Sequence, residues 1–207
     1  MADTADLGLF PLDLVLLPGE ALPLHLFEPR YRQLFADSVL EAEPFVIVRE
    51  DGERRAGVGC AARFEELVRR HPDGRMDVVV RGAFPVAVLD ATGGRLYDSA
   101  VVQALEDEDA AAEPEEVARL TARYRDLTGS DPVLDPSSEV PPSYALAGTL
   151  PLDADSKQAL LGERSEARRV RMLEEAIGRA VEREARAAET ARRAAGNGHV
   201  PHHPLAP

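Results

Sequence analysis

Residues 28–32 bring together polar side chains that could contact a partner molecule. They follow an apolar segment, and a proline stands where the first residue of a helix is expected. The polar members of the group are Glu28, Arg30, Tyr31 and Arg32. One interpretation is a polar contact site at a strand-to-helix junction. The alternative is structural, because Glu28 would complement the positive end of the helix dipole while Arg30 and Arg32 face water.

The histidines and the acidic run form no recognisable catalytic or metal-binding pattern. His25 lies between Leu24 and Leu26 in an apolar run, so we expect a half-buried structural residue on the opposite face of a strand. A tail carries His199, His202 and His203, but a native metal site needs fixed geometry that a Gly/Pro tail does not give. The acidic residues 106–109 lack the EF-hand spacing and are predicted to be a solvated linker. The sequence therefore predicts no catalytic residue, no metal site and no cofactor.

The chain also lacks the motifs that hold nucleotides. It contains no G-x-x-x-x-G-K-[ST] loop, whose backbone N–H groups and lysine cradle phosphates. The glycines at 57 and 59 are not a dinucleotide fingerprint, because no third glycine and no helix follow them. Lys157 is the only lysine, so Ser-Lys chemistry has no other candidate. These absences predict a protein that is not an enzyme.

Charge and cysteine content narrow the partners and the compartment. The formal net charge of −13 disfavours nucleic acid and anionic membranes, since both partners are themselves negative. Cys60, the single cysteine, lies in an apolar run and is predicted to be a buried, unreactive thiol. Charges and prolines interrupt residues 7–27, which argues against a signal peptide or a membrane span there. We therefore expect a cytoplasmic protein.

Short apolar runs separated by turn signals fill the chain to about residue 106. The runs predicted as strands are residues 9–12, 22–27, 45–49, 57–64, 76–81, 84–89 and 96–103. A helix that begins at Pro29 is inserted after the second run. Many short strands with one inserted helix indicate a closed or half-closed barrel.

Beyond the acidic residues 106–113 the hydrophobic period becomes helical. Pro114 and Gly129 are predicted to begin and end a first helix, and a short helix is expected over residues 144–150. A capping box at Asp155 and Gln158 predicts a third, ending near residue 161. Isolated helices of this length are marginal, so the helices are expected to pack on the barrel.

A long last helix is predicted from a cap at Ser165 to about residue 194. Its first half carries a stripe of large apolar side chains, namely Val170, Leu173, Ile177 and Val181. Further along, the stripe contains only alanine, and Glu/Arg pairs at (i, i+4) spacing would keep the helix formed. We expect the second half to be an arm that does not pack on the rest of the chain.

Four segments in the same order resemble the N-terminal, substrate-binding domain of Lon proteases. They read LFPL, VLLPG and LPLHLFEPRYR in residues 9–32, AGVGCA in 56–61, PDG followed by VVVRG in 72–82, and AGTLPL followed by KQALL in 147–161. The likeness covers roughly residues 7–185. One departure is that Ala83-Phe84-Pro85 stands where the family usually has an arginine, so a role of that arginine is not carried over to this chain.

The resemblance implies an α+β fold in which a PUA-like β pseudo-barrel precedes a helical bundle that ends in a long helix. The expected divisions are a barrel subdomain over residues 1–108, a helical subdomain over 109–195 and a disordered Pro/His tail over 196–207. The chain is interpreted as a stand-alone form of the domain that lacks the ATPase and protease modules. Its implied partners are unfolded or extended polypeptide segments, and a protease with which it would act. The contact residues would be Glu28, Arg30, Tyr31 and Arg32.

The leading functional hypothesis is therefore non-catalytic recognition of polypeptides, as an adaptor or modulator of cytosolic proteolysis. An alternative is a sensor of small molecules or modified residues, with a pocket between barrel and bundle. A third hypothesis, an enzyme of another kind, finds no acid/base constellation to support it. The oligomeric state is left open between a monomer and a weak dimer.

Overall fold

A computed structural model describes residues 4–52, 54–108, 111–135 and 137–196 of the chain. The strands are β1 (Thr4–Leu12), β2 (Ala21–Leu26), β3 (Phe45–Asp51), β4 (Arg54–Arg55), β5 (Val58–Arg70), β6 (Met76–Thr92) and β7 (Ser99–Ala104). The helices are α1 (Pro29–Glu41), α2 (Pro114–Thr128), α3 (Pro142–Ala147), α4 (Ala154–Gly162) and α5 (Glu166–Gly196). The fold is mixed α and β, with the strands preceding the helical part as predicted.

The strands close into a ring, because β1 pairs antiparallel with β7 on one side and parallel with β3 on the other. The remaining pairings of the ring are β7–β6, β6–β5 and β5–β3. Strand β2 lies outside the ring and pairs with β6, and the two-residue β4 extends one end of β3. Strand β2 pairs with β6 alone among the described strands, so its other edge is free.

Strand β6 is one element where the sequence predicted two, over residues 76–81 and 84–89. The residues between them form a β-bulge, because Ala61 pairs with Phe84 and Ala62 with Gly82, which leaves Ala83 unpaired. Only glycine fits at position 82, since a Cβ there would lie 2.2 Å from the Leu17 carbonyl oxygen. The bulge bends β6 without ending it, so its first part pairs with β2 and its last part with β7.

Alternation along the strands divides the apolar side chains between two clusters. One cluster draws on all five strands of the ring and fills its interior; it contains Leu7, Leu9, Val46, Val48, Ala61, Val86, Ala100 and Val102. The opposite face of the same strands supplies Phe10, Phe45, Ile47 and Cys60 to the larger cluster. That larger cluster also contains Leu120, Leu146, Leu160 and Leu173 from the helices. The helices are thus packed on the outside of the ring by one continuous core, as predicted.

Polar contacts fix the same junction. The Lys157 ammonium lies 2.6 Å from Glu20 Oε1, with both side chains largely buried. Gln158 Nε2 donates to the Val58 carbonyl at 3.1 Å. The only lysine of the chain therefore forms an ion pair with Glu20, and this pair joins α4 to the segment before β2. The exact boundaries of the two expected subdomains stay predictions.

The helix ends show which sequence signals were used. Helix α2 has Pro114 at its start and Gly129, with φ +72°, after its end, as predicted. Helix α3 begins and ends earlier than predicted, at Pro142 and Ala147. The cap of α4 is Asp153 and not Asp155, because the Asp153 carboxylate accepts the Ser156 N–H at 2.7 Å.

Helix α5 differs between its two halves. Val170, Leu173 and Ile177 are buried in the core, whereas Val181 is 43% exposed. The pairs Glu175–Arg179 and Glu182–Arg186 are formed at 3.7 and 3.4 Å, in the predicted (i, i+4) arrangement. The expected Pro/His tail lies outside the described residues from position 197 on. Among the helices that are described, none combines the length and the apolar character needed to cross a membrane.

Candidate functional site

The structure places residues 28–32 at the start of α1, but not all of them on the surface. Glu28 is the residue before the helix and makes no side-chain cap. Its carboxylate instead accepts a hydrogen bond from Arg30 Nε at 2.8 Å, and both side chains are partly exposed. The Arg30 guanidinium lies 4.5 Å from the centre of the Tyr31 ring. Glu28 and Arg30 are therefore a paired surface group that a partner could reach.

Tyr31 and Arg32 of the same segment are largely enclosed by the protein. Tyr31 is only 7% exposed and stacks on Phe10 with ring centres 4.1 Å apart. Burial raises the pKa of its phenol, because the phenolate would lose hydration there. Arg32 is half-buried, and its guanidinium sits against the β5–β6 turn, where a Cβ at Gly74 would lie 2.6 Å from Nη1. Tyr31 is thus a core residue, and Arg32 packs against the turn.

A large cavity formed by described residues lies between the ring of strands and the helical part, and we call it the barrel–helix groove. Its volume is about 640 Å³. The wall from the strands consists of Gly19, Glu20, Ala21 and Arg81. The opposite wall consists of Val133, Leu134, Asp135, Ser138, Val140, Pro142, Tyr144, Ala145, Gly148 and Thr149. The groove combines an apolar lining with a few polar groups, which is the usual make-up of a binding site.

Both walls of the barrel–helix groove are held in place by contacts of their own. Arg81 donates from Nη1 to the Gly19 carbonyl at 2.8 Å and binds Glu65 through Nε and Nη2. On the other wall, Tyr144 donates to the Leu160 carbonyl at 3.3 Å, and its ring is buried. Val133, at the mouth, is 96% exposed. The groove therefore has fixed walls and an apolar side chain at its entrance that contributes nothing to the core.

A second, smaller groove of about 250 Å³ runs between α2, α4 and α5. Its floor is apolar and includes Leu127, Leu152 and Ile177, while Arg179 and Arg183 stand at its rim. We call it the helix groove. A pocket between barrel and bundle was predicted, but the residues that line the two grooves were not, because they come from separate elements that only the fold brings together.

Cys60 is a structural thiol, as predicted. It is fully buried in the larger cluster, and burial raises the pKa of its thiol to about 12. We expect an aromatic disulfide reagent at about pH 8 to leave Cys60 unmodified in the folded chain and to modify it completely in denaturant, because only the thiolate reacts. The absorbance of the released coloured thiol measures the rate of modification in the folded chain and in denaturant. Rapid modification of the folded chain would show that β5 opens readily.

His25 lies on the opposite face from Leu24 and Leu26, as predicted, but it is exposed and not half-buried, and it has partners that sequence reasoning did not identify. Its Nδ1 lies 2.5 Å from Asp77 Oδ1, and His71 Nε2 lies 2.8 Å from Asp77 Oδ2. Hydrogen bonds from His25 and then His71 lower the pKa of the Asp77 carboxyl. His25 and Asp77 are directly opposite in the β2–β6 ladder. That register, which the sequence does not reveal, is what joins them.

The acidic linker is bound and not merely solvated, which corrects the sequence prediction. Asp107 accepts two hydrogen bonds from Arg169, at 2.6 and 2.5 Å. Arg169 is fully buried, also contacts Glu166 at 2.8 Å, and has its guanidinium 4.4 Å from the centre of the Tyr144 ring. Burial lowers the pKa of Arg169, but the bonds to Asp107 and the nearby charges outweigh it, so the pKa is raised. The buried guanidinium of Arg169 on α5 thus contacts both the acidic linker and Tyr144 of the groove wall.

Comparison with known proteins bears on this arrangement. A family model described as the ATP-dependent protease La (LON) substrate-binding domain matches residues 6–179. The crystal structure of a Lon N-terminal domain protein from Xanthomonas campestris is 27% identical, with a TM-score of 0.65, over 82% of this chain and 96% of that one. The N-terminal domain of a Mycobacterium avium complex Lon protease is 22% identical, with a TM-score of 0.61, over 84% and 98% of the two chains. The search of curated proteins gives no match.

Proposed function

This chain belongs to the family of Lon substrate-binding domains, and on that premise we propose that it binds extended polypeptide segments in the barrel–helix groove without catalysis of its own. The family supports a role in substrate recognition. The finer role that we propose is that of an adaptor or modulator, which presents polypeptides to a protease or withholds them from it. We also assign the ring of strands to the PUA-like type that the sequence resemblance implies, and its closure supports this assignment.

The observation that carries the proposal is the exposed apolar lining of the barrel–helix groove. Val133 has almost no contact with the rest of the chain, while Leu134 and Val140 beside it are only partly buried. Apolar side chains around an open groove mark surfaces that a partner covers. An unfolded polypeptide offers apolar side chains of its own, and their burial would supply the binding free energy. The polar groups of Arg81 and Asp135 at the walls would orient the bound backbone.

Addition of a polypeptide strand to the free edge of β2 is the less favoured way of binding. The bond from Gly82 N–H to the Glu20 carbonyl fixes the phase of the β2–β6 ladder. Backbone groups of Ala21, Pro23 and His25 therefore face away from β6. Proline has no N–H, so the middle of that edge cannot donate a hydrogen bond to an added strand. Side-chain burial in the groove does not have this restriction.

The test is binding of a fluorescently labelled, reduced and alkylated protein, measured by anisotropy for the full chain and for variants. We expect Val133→Asp to weaken binding on the order of tenfold, because it places a charge on the apolar surface that the polypeptide covers. Leu40→Asp is the matched control, since Leu40 is an exposed leucine on α1 outside both grooves. Equal affinities of the two variants would contradict the proposal for this groove.

Two further variants locate the site if it is elsewhere. Ala180→Asp changes the helix groove, and Arg30→Ala changes the paired surface group at residues 28–32, which stays a predicted contact site. Hydrophobic binding should survive about 0.5 M salt, whereas contacts of exposed charges are largely screened there. A loss confined to Arg30→Ala, together with strong salt dependence, would move the site to the start of α1.

A sensor of small molecules or modified residues is the second candidate function. The volume of the barrel–helix groove favours it, because small-molecule sites span roughly 300–1,000 Å³. A screen of small compounds by thermal shift would separate the two functions. The sensor would be favoured by two results together. A compound should raise the melting temperature of this chain but not of its Val133→Asp variant, and the unmodified chain should show no binding of unfolded polypeptide.

A further inference from the structure

We propose that His25, His71 and Asp77 form a binding site for one divalent transition-metal ion, of which Zn²⁺ is the representative. Their ligand atoms all lie within 4.8 Å of one another, on the outer face of the β2–β6 ladder and the adjoining turn. Among the described residues, no other group of three histidine, cysteine or acidic side chains brings its ligand atoms this close together. We call it the His–Asp–His cluster.

The chemistry of the three donors selects the class of ion. Two imidazoles and one carboxylate suit Zn²⁺, Cu²⁺, Ni²⁺ or Fe²⁺, whereas Ca²⁺ and Mg²⁺ prefer sets made of oxygen atoms only. Zinc–ligand bonds of about 2.0–2.2 Å place two ligands of a tetrahedral ion roughly 3.3 Å apart. Asp77 now lies 2.5 Å from His25 and 2.8 Å from His71. Small side-chain rotations would therefore open room for the ion.

The backbone holds the cluster together before any ion binds. His25 and Asp77 are direct cross-strand neighbours, a position that fixes the spacing of their Cβ atoms. His71 enters from the β5–β6 turn, where its N–H donates to the Arg75 carbonyl at 2.8 Å. Its own carbonyl accepts the N–H of Gly74 at 3.0 Å, and Gly74 has a φ of +86°. The three ligands thus stand on strands and a tight turn, which favours a defined geometry.

The cluster is accessible and carries the charge that an ion requires. The His25 side chain is 44% exposed and that of Asp77 36%, so the ion could enter and keep a water ligand. The nearest acid in the turn, Asp73, is bound to Arg75 at 2.7 Å and stays outside the cluster. A bound ion would link the end of β2, shortly before α1 begins, to the β5–β6 turn.

The test is a titration of the full chain with Zn²⁺ by calorimetry, after removal of metal with a chelator. The background protein carries His199→Ala, His202→Ala and His203→Ala, so that the histidine tail cannot bind the ion. We expect one Zn²⁺ per chain and a higher melting temperature with the ion than without it. His71→Ala and Asp77→Asn should each weaken binding by more than about 100-fold, since they remove ligands, whereas outer-shell changes cost about 10–100-fold.

Controls keep the result decisive. Asp73→Asn removes an acid of the same turn that is not a ligand, so it should bind Zn²⁺ like the background protein. His25→Gln can still hydrogen-bond Asp77 but lacks an imidazole, and it should lose the ion while folding normally by circular dichroism in chelator. Titration with Co²⁺ should give the visible absorption of a four-coordinate site. The proposal would be overturned if the background protein bound no Zn²⁺, or if His71→Ala and Asp77→Asn bound it as tightly as the background protein does. The three residues would then be a hydrogen-bonded cluster only.

Discussion

Replacement of Arg169 by methionine should lower the free energy of unfolding by about 3–5 kcal/mol. The substitution keeps much of the side-chain volume but leaves the buried carboxylate of Glu166 without its counter-ion, held only by hydrogen bonds from the N–H and hydroxyl of Ser143. It also releases Asp107 from its two hydrogen bonds and removes the cation from the Tyr144 ring. Urea unfolding followed by circular dichroism measures the loss.

The neighbouring Arg168 provides the matched control. Its side chain is 63% exposed and lies 3.6 Å from Glu163, so Arg168→Met should cost under about 1 kcal/mol. Adding Glu166→Gln to Arg169→Met removes the unpaired charge and should recover part of the lost stability. A loss for Arg169→Met as small as that for Arg168→Met would show that Glu166 finds another partner or takes up a proton.

Arg169 also shows what local sequence patterns cannot predict. It lies on the predicted last helix, but its partner Asp107 is 62 residues away. The acidic run looked like a solvated linker because its composition is that of one. The link between Asp107 and Arg169 exists only after the helices have packed on the ring, and no spacing rule relates the two residues.

Features with a local physical cause were predicted well. Pro29, Pro114 and Gly129 mark helix ends through their own backbone preferences, and the structure uses all three. The bulge at Gly82 was missed because a glycine inside an apolar run fits a strand break as well as a bulge. The cap of α4 was assigned two residues late, since both Asp153 and Asp155 can cap a helix.

The candidate sites follow the same division. The segment at residues 28–32 was found because its residues are adjacent, but its enclosure in the fold could not be seen, because Tyr31 on α1 stacks on Phe10 of β1. A pocket between barrel and bundle was predicted without its lining residues, and the His–Asp–His cluster was not predicted, because each depends on the register or packing of distant elements. A search for histidine and aspartate on strands predicted to pair would have been the only signal for the cluster.

Leu173→Ala should lower the free energy of unfolding by roughly 2–4 kcal/mol, whereas removal of the whole chain after Glu184 should cost under about 1 kcal/mol. Leu173 is fully buried in the larger cluster, on the helix that packs against α2 and α3, so its truncation leaves a cavity. The described side chains beyond Val181 are exposed or half-buried charged and polar groups, which contribute little by burial. Charge pairs can keep this half helical but cannot attach it to the core.

Thermal and urea unfolding of the two variants, at several protein concentrations, test this division of α5. Unfolding of the truncated chain would mean that the distal half packs against something else. A second copy of the chain is the first candidate, since the alanine stripe would let two such helices approach closely. In that case the melting temperature of the full chain should rise with concentration and that of the truncated chain should not, because association stabilises by mass action. A melting temperature independent of concentration, with a stable truncated chain, would establish the distal half as an arm that leaves the core unaffected.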